Sequence, residues 1–328
     1  MCYSLIKKIL FCLDPETAHR IALSGLSFAN YFGLTKFFSH ISSSPREVMG
    51  LHFPNLVGLA AGLDKNGDYI DALASLGFGF VEVGTVTPKP QFGNLRPRLF
   101  RLEKQEALIN RLGFNNKGVD YLIERLKQKK YQGILGINIG KNRDTLLENA
   151  VDDYLYSFRC VAPFASYVTV NISSPNTENL RDLQQSQLLK NLLRSLKTEQ
   201  LKQKKYVPLV IKISPDLSEN ELIEMSEIFL NEKIDGVIAT NTTTSRNDIR
   251  VNEVGGLSGR PLRDRSTRIV KQLHQLLQDK IPIIACGGIF SKEDAKEKIE
   301  AGASLLQIYT GLIYRGPGIV AQLGMSSK

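Results

Sequence analysis

The chain alternates between short apolar runs and longer stretches in which apolar residues return every three or four positions. Leu209-Val210-Ile211-Lys212-Ile213 and Ile283-Ile284-Ala285-Cys286 are typical runs, rich in β-branched side chains and closed by Ser, Pro or Gly. Runs of this length and composition read as buried strands. Eight are predicted, at residues 55–61, 79–85, 133–139, 166–172, 207–213, 235–241, 281–286 and 304–309. A helical period fills the intervals, over 66–76, 119–129, 146–158, 188–202, 219–231, 266–277 and 292–301. Eight strand–helix units predict an α/β fold, a closed (β/α)8 TIM barrel rather than an open sheet. Right-handed crossovers then bring the C-terminal ends of all strands to one face.

Residues 1–46 follow a different pattern. Leu5, Ile6, Ile9, Leu10 and Leu13 recur at helical spacing, and Asp14-Pro15 then supplies an N-cap and a first-turn proline. A second helix carries Ala18, Ile21, Ala22, Gly25, Leu26 and Ala29 on one predicted packing face and ends near Gly33. Two short amphipathic helices do not stand alone, so their apolar faces pack on the barrel, on each other or on lipid. The chain divides accordingly into a small N-terminal two-helix extension, residues 1–46, and a barrel domain, residues 47–328. Neither helix is of spanning length, and Met1–Leu13 lacks the apolar core of a signal peptide.

Polar residues gather where the predicted strands stop. The ends read Ala61-Gly62-Leu63-Asp64-Lys65, Gly84-Thr85-Val86-Thr87, Asn138-Ile139-Gly140-Lys141 and Asn171-Ile172-Ser173-Ser174. The later four read Lys212-Ile213-Ser214-Pro215-Asp216, Thr240-Asn241-Thr242, Gly287-Gly288 and Tyr309-Thr310-Gly311. Turn chemistry explains one such end; eight together mark the mouth of an enzyme barrel. The sharpest is 167–177, where a β-branched strand breaks at Ser174-Pro175 into amides and hydroxyls. Ser174 is the expected reacting group.

Three further features carry chemistry. Gly287-Gly288 with Tyr309-Thr310-Gly311 suits a phosphate held by the loops after strands seven and eight. Asn110, Asn138, Asn171, Asn176 and Asn241 offer donors and acceptors to a flat heterocycle. Lys212 interrupts an apolar strand, as a Schiff-base lysine, as a cation beside a reduced flavin, or as a side chain snorkelling past the strand end. His19, His40, His52 and His274 fall away from the strand ends. The proton acceptor is therefore an oxygen or a lysine, namely Ser174, Lys65 or Lys212.

Composition narrows the partners. The 328 residues are 42% hydrophobic, enough for a large core, and the net charge of +9 is dispersed among mixed-sign helices. That favours an anionic small substrate or an anionic membrane surface over nucleic acid. Cys2, Cys12, Cys160 and Cys286 have neither metal-ligand nor disulfide spacing, so no metal is expected and Cys286 reads as a reduced structural thiol. A Schiff-base aldolase, a flavin barrel acting on RNA-embedded pyrimidines and a non-catalytic membrane scaffold are the competing readings.

Taken in order, the strings at 14–19, 58–65, 84–88, 110–116, 171–177, 255–259, 286–289 and 307–309 resemble one family: dihydroorotate dehydrogenases of the quinone-dependent, membrane-associated class. The resemblance implies FMN as cofactor, dihydroorotate and orotate as substrate and product, a membrane quinone as electron acceptor, and peripheral attachment to the cytoplasmic side of the inner membrane. It implies FMN contacts at Ala61, Gly62, Leu63, Asp64, Lys65, Thr85, Asn138, Asn171, Lys212, Thr240, Gly259, Gly288, Tyr309 and Thr310. Substrate contacts are implied at Lys65, Asn110, Arg111, Leu112, Gly113, Phe114, Asn171, Asn176, Asn241 and Thr242. His19 and Arg101 would line the quinone site, and Ser174 would be the catalytic base, where soluble members generally carry cysteine. The polar stretch 178–187 is expected to cover the substrate.

Overall fold

The computed structural model describes residues 2–35, 44–246 and 249–324. Two helices open the chain, α1 (Cys2–Phe11) and α2 (Pro15–Tyr31), with the Asp14 side chain accepting from the Thr17 amide as the predicted cap. A hairpin of β1 (Arg46–Val48) and β2 (Leu51–Phe53) follows. The barrel begins with β3 (Val57–Leu59) and β4 (Phe80–Val86). After an excursion through β5 (Leu99–Leu102) and β6 (Ala107–Asn110) it continues with β7 (Ile134–Ile139), β8 (Tyr167–Asn171), β9 (Leu209–Ile213) and β10 (Gly236–Ala239). A second excursion, β11 (Gly256–Gly259), precedes β12 (Ile283–Cys286) and β13 (Leu305–Ile308). The ring closes in the order β3-β4-β7-β8-β9-β10-β12-β13, every neighbouring pair parallel.

All eight predicted barrel strands therefore exist. The outer helices are α3 (Ile70–Ala74), α4 (Val119–Gln128), α5 (Ala150–Val161), α6 (Ser186–Leu201), α7 (Glu219–Asn231), α8 (Arg263–Leu277), α9 (Lys292–Glu300), α10 (Thr310–Arg315) and α11 (Gly318–Gly324). The first is much shorter than the predicted 66–76, because residues 62–69 wrap around a buried carboxylate. Asp64 accepts from the amides of Asn66, Asp68 and Tyr69, which holds that stretch as a loop. Ser218 and Glu221 form a reciprocal capping box at the start of α7.

The main core lies between strands and helices, where one face of each strand meets the apolar stripe of its helix. A smaller cluster plugs the lower end of the barrel. Phe53 from the hairpin meets Phe80 edge-on at 5.1 Å, and Phe80 meets Tyr167 at 6.3 Å. Gly58 and Gly136 make room for those rings, since a Cβ at either would stand 2.2 Å from a ring carbon. The hairpin is thus a stopper that keeps water out of the barrel's lower end.

The excursions form a second, antiparallel sheet in the order β11-β6-β5. The N-terminal helices dock on this side of the molecule. Phe11 packs edge-on to Tyr314 at 5.5 Å, and Glu16 forms a two-point ion pair with Arg98 at 2.7 and 3.1 Å. Only part of the predicted α2 face is covered: Ala18 is buried and Leu26 and Ala29 half-buried, whereas Ile21, Ala22 and Gly25 are exposed and Leu23, outside that face, is buried. The barrel claims a narrower stripe than the sequence offers.

Candidate active site

One cavity opens at the C-terminal ends of the barrel strands, between them and the small sheet. The strand ends contribute Ala61, Gly62 and Lys65 after β3, Thr85 from β4, Asn171 and Ser174 from and after β8, and Lys212 from β9. Thr240, Asn241 and Thr242 follow β10, Gly288 follows β12, and Tyr309 and Thr310 follow β13. The small sheet and the loop after it add Asn110, Leu112, Gly113, Phe114 and Gly259, and Asn176 completes the set. Residues scattered over about 250 positions meet because most sit at equivalent barrel strand ends and the small sheet closes one side.

The amides form an ordered array. Asn176 Nδ2 donates to Asn110 Oδ1 at 2.9 Å, tying the loop after β8 to β6. Asn241 Nδ2 donates to Asn171 Oδ1 at 3.2 Å, and Asn171 Nδ2 to Thr85 Oγ1 at 2.9 Å. Ser174 is buried, and its Oγ accepts from the Asn176 amide at 3.3 Å. That contact leaves its hydroxyl proton free to move.

Two lysines face this array. Lys212 is buried in the barrel wall, and its backbone carbonyl accepts from Ser173 Oγ at 2.5 Å. Lys65 is half-buried and donates to the Gly62 carbonyl at 2.8 Å. Burial, reinforced by the Arg98 charge, lowers its pKa to about 8. Burial also raises the Cys286 thiol, which lines the cavity as a protonated group.

Loop 178–187 packs beside the site and does not line the cavity. Leu180–Gln184 forms a short 3-10 helix with Leu180 and Leu183 buried. Arg181 pins it by donating to Ser173 O, to Asp216 Oδ2 at 3.0 Å and to Thr242 O at 3.2 Å. Asp216 also binds Thr243, the Thr244 amide and Arg265. Burial alone would raise this carboxyl, but the Thr243 hydroxyl, the Thr244 amide and Arg181 outweigh it and lower the pKa.

Several expected contacts stand back from the cavity. Leu63 belongs to the core, and Asp64 shapes the loop that presents Lys65. Asn138 is fully buried one layer below, linking Thr85 to Glu82. Arg111 faces outward, paired with Glu253 at 2.7 Å and stacked on Phe100. It lines a separate shallow pocket with Asn94, Arg143 and Asn176.

His19 and Arg101 do not line the main cavity. Arg101 stacks 4.7 Å over Phe11 and donates to the Leu10 and Leu13 carbonyls at the end of α1. His19 lies near Lys65; burial, then the Lys65 charge, lowers its pKa to about 4, so it is neutral at physiological pH. His274 sits against Gly302 beside Asp279, away from the strand ends as expected. His40 lies outside the described residues.

Sequence reasoning missed the walls: Leu99, Leu108, Leu262 and Ile289, with Ser258 and Gln307. It also missed Glu82. A lone acid within Phe80-Val81-Glu82-Val83 is the same signal that singled out Lys212. Gln307 stands on an inward position of an apolar strand two residues before Tyr309, where period-two alternation would have found it.

A closed β/α barrel with amides, a hydroxyl and cations converging at one mouth defines an enzyme. The family model described as dihydroorotate dehydrogenase matches residues 44–325. The chain belongs to the dihydroorotate dehydrogenase family. A relative from Nitrosomonas europaea named dihydroorotate dehydrogenase (quinone) is 57% identical, over 98% of this chain and 96% of that one. A relative of the same name from Idiomarina loihiensis is 54% identical over 98% of both. The crystal structure of ligand-free DHODH from Eimeria tenella superposes with a TM-score of 0.88 at 39% identity, covering 95% of this chain and 93% of that one.

Proposed function

We propose that the protein oxidises dihydroorotate to orotate in pyrimidine biosynthesis, using FMN and passing the electrons to a membrane quinone. The observation that carries this reading is the convergence of Ser174, the Asn110–Asn176 and Asn171–Asn241 amide pairs, Lys65 and Lys212 in one cavity. A planar ring edged with carbonyls and N–H groups matches the alternating donors and acceptors of those amides. The names of the curated relatives support both the substrate and the quinone.

The cavity's other half fits FMN. At Gly288, φ is +74° and an added Cβ would lie 2.4 Å from the Arg263 backbone, so only glycine lets this turn pack on the start of α8, and its bare backbone would face the phosphate. Gly259, Thr310 and Tyr309 flank it, and Ala61, Gly62, Thr85, Asn171, Lys212 and Thr240 would hold the ring and ribityl chain. FMN when bound supplies a two-electron acceptor for the hydride leaving C6. Leu63, Asp64 and Asn138 support these contacts from behind.

Ser174 Oγ takes the proton from C5 as its own proton passes on. The Thr177 hydroxyl, buried and without a hydrogen-bond partner, is three residues away. Lys65 holds the substrate's carboxylate by charge, and Lys212 places a fixed cation in the cavity wall. The Arg181 strap holds the loops after β8 and β10 in place through Ser173 O and Thr242 O.

The N-terminal helices suit a bilayer surface. Leu5, Ile6, Ile9, Ile21, Phe28, Tyr31 and Phe32 are exposed on α1, α2 and the turn after them, more apolar surface than an aqueous face carries. No helix among the described residues is long and apolar enough to cross a membrane. We therefore infer peripheral attachment to the cytoplasmic face of the inner membrane, aided by the net charge of +9 on an anionic surface. Quinone would enter past His19 and Arg101. Chromatography of the cofactor released by acid tests the reading: FMN is expected, and recovery of FAD, or of no flavin from folded protein, contradicts it.

A further inference from the structure

A carboxylate lies at the centre of the barrel, beneath the cavity. Glu82 is fully buried on β4 and takes hydrogen bonds from four side chains. Asn138 Nδ2 donates to Oε1 at 2.8 Å. Gln307 Nε2, the Tyr167 hydroxyl and Thr169 Oγ1 donate to Oε2 at 2.7, 2.9 and 3.1 Å. Burial, with Glu82 adjacent, raises the Tyr167 pKa far above its ordinary value, so this phenol keeps its proton and donates.

A carboxylate only accepts, so the two amides that face it have no choice of orientation. Asn138 must present its nitrogen to Glu82 and its oxygen upward, where Thr85 Oγ1 donates to it at 2.6 Å. The Thr85 proton is thereby committed, and its lone pairs receive Asn171 Nδ2 at 2.9 Å. Asn171 Oδ1 is left to accept from Asn241 Nδ2. The sense of each bond, from the barrel floor to the cavity amides, follows from one buried charge.

The second arm ends differently. With its nitrogen held by Glu82, Gln307 points its oxygen the other way. That oxygen is buried and has no hydrogen-bond partner, while the residue lines the cavity beside Lys212 and Cys286. Reversing the amide would set Oε1 against the carboxylate, so the unpaired acceptor cannot be relieved from within. A buried acceptor of this kind needs a donor from whatever fills the cavity.

We propose that Glu82 is a positioning residue that fixes the donor–acceptor sense of the cavity floor, and that through it Gln307 Oε1 accepts a hydrogen bond from an N–H or O–H of the bound flavin. The assignment rests on the FMN reading above. Neither residue is among the expected cofactor or substrate contacts.

The test measures flavin dissociation by fluorescence recovery on dilution of the holoprotein, and orotate binding by its shift of the flavin spectrum. Gln307→Met removes only the acceptor; flavin is expected to bind about tenfold more weakly, with orotate affinity unchanged within about twofold. Glu82→Gln brings an N–H group against the donors; flavin and orotate are both expected to bind at least tenfold more weakly, because the Asn138–Thr85–Asn171 chain loses its sense. In the double variant the flavin effects are expected to be less than multiplicative, since Glu82 acts partly through Gln307. Multiplicative effects contradict the coupling. If Glu82→Gln does not fold, Gln307→Met decides alone: unchanged flavin affinity from a flavin-loaded parent overturns this assignment and leaves the FMN reading standing. A folded parent that holds no flavin overturns both.

Discussion

Ser174, Lys65 and Lys212 stand in one cavity for different physical reasons. Pro175 ends the strand and turns Ser174 into the mouth. Asp64 folds the loop that carries Lys65, and strand alternation points Lys212 inward. Their chemistry separates in experiments. Ser174→Ala should slow flavin reduction by dihydroorotate by roughly 10²–10⁴-fold, the usual worth of a general base, with orotate binding retained. Stopped-flow absorbance measures it; a parental rate would assign the proton to another group. Lys65 predicts a pH dependence. Its lowered pKa means that the cation is lost as pH rises through about 8. Orotate affinity of the flavin-loaded protein should be flat below about pH 7 and fall about tenfold per unit well above 8, because binding an anion then requires proton uptake. Titration of the spectral shift checks it, and Lys65→Met should flatten the profile. The inward lysine was legible in the sequence as a charge in an apolar run. The inward glutamate and glutamine carried signals of the same kind, but neither stands at a strand end, where the polar residues of the mouth drew the reading.

At the scale of elements, the repeating units announced themselves and the additions did not. Eight apolar runs with helical intervals sufficed for the barrel. The hairpin 46–53 and the sheet of β5, β6 and β11 escaped because three- or four-residue strands carry too little periodicity, and β11 pairs with β6 across about 150 residues of chain. Yet that sheet supplies one wall of the cavity. The position of α1 and α2 was also not readable, since an amphipathic stripe does not name its partner. The structure gives part of it: Glu16 reaches Arg98, whose Nη1 holds the Phe92 and Asn94 carbonyls, and Asn94 donates to Asn176 O at 3.2 Å. The helices are thus hydrogen-bonded through to the loop after β8. Point variants are therefore the sharper probe of quinone access. His19→Ala with Arg101→Ala should leave flavin reduction by dihydroorotate within about threefold of the parent. Reoxidation by a long-tailed quinone should fall at least tenfold, while a small soluble acceptor still works. Equal loss with both acceptors would remove these residues from the quinone path.

At the scale of the whole molecule, the barrel separates three environments. Its lower end is stoppered by aromatic rings, its mouth is polar and flanked by the Arg181 strap, and its N-terminal helices turn apolar side chains outward. Substrate and lipid-soluble acceptor can then approach by different routes, which suits two half-reactions sharing one cofactor. The most direct test is anaerobic rapid mixing of the purified protein with dihydroorotate, followed by a second mix with a membrane quinone in detergent, with visible absorbance recorded throughout. Flavin absorbance should bleach with one equivalent of orotate formed per flavin, then return on adding quinone. A protein whose flavin absorbance is untouched by dihydroorotate, or which forms orotate without bleaching, contradicts the account.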